Sequence, residues 1–119
     1  MAKLKLERII CHRANDEYED DPVFDIGIED EPQIFVGNER VWSGRIDPNS
    51  EKDLSMIKLI PFTDSVRVSL VERDAGYSIN EDDLLGEVTV YANVADAGIQ
   101  QVHFNKKSSR YTLEYSILG

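Results

Sequence analysis

The chain has 119 residues with 23 Asp or Glu against 13 Lys or Arg, a net charge of −10 and one cysteine. One hydrophobic core is expected at this length, so 1–119 reads as a single domain, and 41% hydrophobic content spread along the chain excludes general disorder. The negative charge excludes nucleic acid as the main partner, and a lone thiol excludes an internal disulfide, a zinc site of several thiolates and an iron–sulfur cluster.

Residues 1–12 lack the uninterrupted apolar stretch of a secretion signal, no run approaches the roughly 20 apolar residues that cross a bilayer, and a cytoplasmic location is expected. A first strand is predicted over 4–12. Within it Cys11 and His12 are adjacent and point to opposite faces, which rules out a nucleophile and base pair and sends Cys11 to the core. Phe24, Ile26 and Ile28 alternate with Asp25 and Gly27 as in a strand. The runs 34–36 and 40–42 form a hairpin through Gly37-Asn38, residues that tolerate positive φ, with Trp42 as a packing anchor. Residues 43–55, with Gly44, Asp47, Pro48, Asn49 and Ser50, read as a loop or crossover between sheets.

Further strands are predicted over 56–60, over Val66, Val68 and Leu70 alternating with Arg67 and Ser69, and over 87–91. A short helical turn follows Asn93, then a strand over 101–104 that turns His103 outward. The clearest alternation is the last: Tyr111, Leu113, Tyr115 and Ile117 face one way, and Thr112, Glu114 and Ser116 the other. Eight or nine short strands with turn signals between them, and no long helical period, predict an all-β antiparallel sandwich.

The carboxylates are unevenly placed. Nine lie in 16–31, where there is no Lys or Arg, and six more lie in 72–87 against Arg73 alone. Two unit charges about 5 Å apart repel by roughly 3 kcal/mol at an effective dielectric of 20. Gathering several of them costs a marginally stable domain dearly unless a cation joins them. Calcium suits such a site, because it takes six to eight oxygen ligands in flexible geometry, whereas zinc prefers the His and Cys that are scarce here.

The second acid-rich loop runs Glu72-Arg73-Asp74, a polar turn, then Asp82-Asp83-Leu84-Leu85-Gly86. It resembles the calcium-binding C2 domain family, whose members have an Asp-x-Asp pair, a short loop, a later Asp and an apolar-Gly step into the next strand. Glu72 and Asp74 match the pair, Asp83 the later acid and Leu85-Gly86 the step. Asp21-Pro22-Val23-Phe24 looks like the family's Asp-Pro-aromatic entry, with Asp16 or Asn15 near its first loop acid. Glu72 stands where the family has Asp, and 74–83 is a few residues longer than common.

The resemblance implies an eight-stranded Greek-key sandwich in which Asp16, Asp21, Glu72, Asp74 and Asp83 hold one or two Ca2+ ions, with Asp20 and Asp82 as second choices. It also implies a calcium-dependent surface for a protein or membrane partner, with Tyr77 and Ile79 as apolar tips. The alternative is a metal-independent interaction or structural sandwich whose acids give solubility or dock a basic partner. Lys106, Lys107 and Arg110 form one small basic turn. No enzyme is expected, since the chain has no phosphate loop or serine elbow, and its acids sit on loops rather than flanking a cleft.

Overall fold

In a computed structural model the described residues are 1–13, 32–72, 84–106 and 109–119. They build nine strands: β1 (Ala2–Arg13), β2 (Pro32–Val36), β3 (Glu39–Ser43), β4 (Ser50–Asp53), β5 (Ile60–Phe62), β6 (Ser65–Glu72), β7 (Leu84–Tyr91), β8 (Gln100–Lys106) and β9 (Ser109–Leu118). All pairs are antiparallel and fall into two sheets, one ordered β4-β1-β9-β8 with β5 also on β1, the other β3-β2-β6-β7. This is the antiparallel β-sandwich expected from the alternation.

One core fills the space between the sheets. Leu4, Leu6, Ile9 and Cys11 of β1 meet Tyr111, Leu113 and Ile117 of β9, Phe104 of β8, and Ile34, Val68, Leu70, Leu85 and Val90 from the other sheet. The inward residues of β1 change parity between Leu6 and Ile9. The register shows why: Leu6 pairs with Tyr115 and Arg8 with Glu114, so Glu7 is the extra residue of a β-bulge. Pro32 and Pro61 keep to positions open to a residue without an N–H, the first residue of β2 and the outlying strand β5.

Three sequence expectations shift. Residues 43–55 do cross between the sheets at 44–49, but Ser50–Asp53 is a strand, β4, held on the edge of β1. Its side chains are mostly exposed and all polar, so no alternation marked it. The strand expected over 56–60 begins only at Ile60, and Met56 stands fully in solvent on a turn. β9, whose alternation reads as one apolar face and one polar face open to solvent, is covered on both: Thr112, Glu114 and Ser116 point outward yet are buried, because β9 lies between β1 and β8 and their long polar side chains arch over it. The helical turn after Asn93 is a single 3-10 turn, Ala92–Val94. The strand expected at Phe24, Ile26 and Ile28 lies outside the described residues. No helix among the described residues is long and apolar enough to cross a membrane, which says nothing of crossing by strands.

Candidate functional site

The strand ends that flank the two acid-rich segments meet at one end of the sandwich. Segment 14–31 leaves β1 at Arg13 and returns at Pro32, and segment 73–83 leaves β6 at Glu72 and returns at Leu84. Pro32 is the register partner of Glu72, and Val71 the partner of Leu84. Three of the four flanking residues therefore lie together at one end of the β3-β2-β6-β7 sheet.

Two contacts bring the fourth, Arg13 of the opposite sheet, to the same end. The crossover 44–49 is tied at its start by Gly44 N–H donating to the Pro32 carbonyl at 3.3 Å, and at its finish by Asn49 N–H donating to the Cys11 carbonyl at 2.7 Å. At β7 the backbone of Gly86 lies so near Phe104 that a Cβ there would come within 2.4 Å of Cδ1. The apolar-Gly step noted in the sequence is thus a packing device. Leu85 is buried in the core, and glycine lets β7 lie against the ring of β8 just beyond the acid-rich segment.

Of the five acids expected to hold calcium, Glu72 is described: it closes β6, is half-buried and is already engaged by a neighbour. Asp16, Asp21, Asp74 and Asp83 lie outside the described residues, as do Asn15, Asp20, Asp82, Tyr77 and Ile79. Among the described residues no group of three or more His, Cys, Asp or Glu is placed to hold a metal ion.

A second arrangement, on the outer face of the β4-β1-β9-β8 sheet, has no counterpart in the sequence reading. The Arg8 guanidinium bonds the Glu114 carboxylate through Nε and Glu51 through Nη1 at 2.8 Å, while Gln101 Nε2 donates to the other oxygen of Glu114 at 2.6 Å. The hydrogen bonds from Arg8, and then from Gln101, hold the Glu114 carboxyl below its ordinary range, and the same contact raises Arg8. One step along β9, His12 and His103 both reach the hydroxyl of Thr112. The sequence placed His103 alone on an outer face. Its partner is 91 positions earlier, and only the pairing of β1 and β8 to either side of β9 brings the two together.

No protein-family model matches the chain, and no curated protein matches it. Among solved structures, a Drosophila C2-DSL-EGF1 structure is similar at a TM-score of 0.47 and 10% identity, over 98% of this chain and 66% of that one. The chain thus spans just under two thirds of its length.

Proposed function

We propose that this β-sandwich is a calcium-binding module in which Asp16, Asp21, Glu72, Asp74 and Asp83 ligate one or two Ca2+ ions, and that the ion-bound end offers a surface to a protein partner. The observation that carries the reading is the pairing of Pro32 with Glu72. It sets the end of one acid-rich segment beside the start of the other, where fifteen of the 23 carboxylates of the chain belong to the two stretches. Uncompensated, such a concentration of like charge opposes folding. A hard divalent ion with many oxygen ligands turns the repulsion into attraction.

Docking on an anionic membrane is the weaker form of the proposal, since even two calcium ions leave a chain of charge −10 net negative. The one cysteine is buried and forms no disulfide within the chain, which suits a reducing compartment, and the proposed location is the cytoplasm.

The test is thermal unfolding of chelator-treated protein with and without millimolar calcium, with magnesium as the control ion. Binding to the folded state alone at a hundredfold excess over Kd adds about 2.7 kcal/mol, which raises the midpoint by several degrees. A calcium-selective rise that disappears in the Asp74→Asn, Asp83→Asn double variant supports the proposal. No rise, or an equal rise in that variant, sinks it and leaves the acids as contacts for a basic partner, whose complex would weaken steeply with monovalent salt.

A further inference from the structure

His12 Nε2 and His103 Nδ1 each lie 2.8 Å from Thr112 Oγ1. The two ring nitrogens are therefore separated by no more than twice that distance, although the residues belong to strands with β9 between them. Both imidazoles are exposed, whereas the hydroxyl between them is buried. A rigid floor thus carries two rings open to solvent.

The hydroxyl has one proton to give and lone pairs to share, so it donates to one ring while the other ring donates to it. At least one of the two facing nitrogens then presents a lone pair. The other acquires one when its proton moves to the far nitrogen of the ring.

From this juxtaposition we propose that His12 and His103 form a two-imidazole chelate for a borderline divalent transition-metal ion, Zn2+, Ni2+ or Cu2+, separate from the calcium site proposed for the acid-rich segments. Small rotations of two exposed rings bring both nitrogens to the roughly 2.0–2.1 Å that such bonds require. Imidazole nitrogen selects these ions, and a hard ion such as Ca2+ passes it by in favour of oxygen. Water completes the coordination, because the outward carboxylate next along β9, Glu114, is held by Arg8 and Gln101. Arg110, the outward residue on the other side of Thr112, is a cation and keeps the affinity modest.

The experiment is a calorimetric titration of the full chain with ZnCl2, the protein first stripped with chelator and then kept in millimolar calcium so that oxygen-rich sites are filled. Imidazole nitrogen resonances are followed in parallel. The expected result is one zinc site that perturbs the facing nitrogens of both rings. His12→Asn and His103→Asn each weaken it by about a hundredfold, the lower end of what a second, intramolecular contact adds. Thr112→Val, which removes the hydroxyl and keeps the shape, retains it. Both histidine variants change exposed side chains, and unaltered unfolding midpoints confirm that they fold. Absence of zinc binding to the parent protein, or equal affinity in either single histidine variant, overturns the proposal.

Discussion

Arg8 and Glu114 are an ion pair built into the middle of a sheet: the arginine crosses from β1 to the carboxylate of its register partner on the central strand β9. Glu114 is almost out of contact with solvent while Arg8 is nearly half exposed, so the two are unequally dependent on each other. Replacing Arg8 with Met leaves a covered carboxylate with Gln101 as its remaining described hydrogen-bond donor. The expected outcome is a midpoint several degrees lower by thermal unfolding, largely restored when Glu114→Gln is added, because the second change removes the stranded charge. Equal melting of the parent and Arg8→Met proteins would contradict the arrangement.

The same pair sets a pH dependence. The folded Glu114 carboxyl titrates below its ordinary value of 4.5, so the folded state binds this proton less readily than the unfolded state does. Its stabilisation is therefore complete above pH 4.5 and is lost as pH falls through the lower folded value. Denaturant midpoints measured from pH 6 downward should decline less steeply in Glu114→Gln than in the parent over that acid window.

Gly86 faces Phe104 with no room for a methyl group, and the obstructing atoms are a buried ring rather than the end of a flexible chain. Gly86→Ala should destabilise the sandwich by about 1–3 kcal/mol, the usual range for overpacking. Adding Phe104→Leu should recover part of that loss by opening the space. Urea denaturation of the single and double variants tests both statements, and a neutral Gly86→Ala would refute the close approach.

What could be read in the sequence followed from which faces are apolar. β6 and β9 declare themselves because Val68, Leu70, Tyr111, Leu113 and Ile117 recur at every second position and all are buried. β4 is silent because Ser50-Glu51-Lys52-Asp53 is placed by backbone pairing to β1 and carries no apolar side to alternate. Composition marked the acid-rich segments without geometry, and the pairing of Pro32 with Glu72 adds the neighbourhood that composition lacks. The bond between Arg8 and Glu114 and the meeting of His12 with His103 depend on which strands become neighbours. Such contacts between residues distant in sequence leave no local periodicity to read.

Cys11 offers a chemical reading of the same end of the sandwich. Its side chain has no exposed surface, its backbone pairs with Tyr111 and Ser50, and its carbonyl holds Asn49. A thiol reagent reaches it only when β1 parts from its neighbours, so labelling under native conditions should be far slower than in denaturant and should follow the population of open molecules. If calcium binds only the closed form, the open population falls in proportion to occupancy, and millimolar calcium slows labelling of the parent but not of the Asp74→Asn, Asp83→Asn protein. Mass spectrometry of alkylated protein at timed intervals measures this directly. Rapid labelling of the native chain would contradict the buried position of Cys11, and calcium protection that persists in the double variant would place the ion elsewhere than at Asp74 and Asp83.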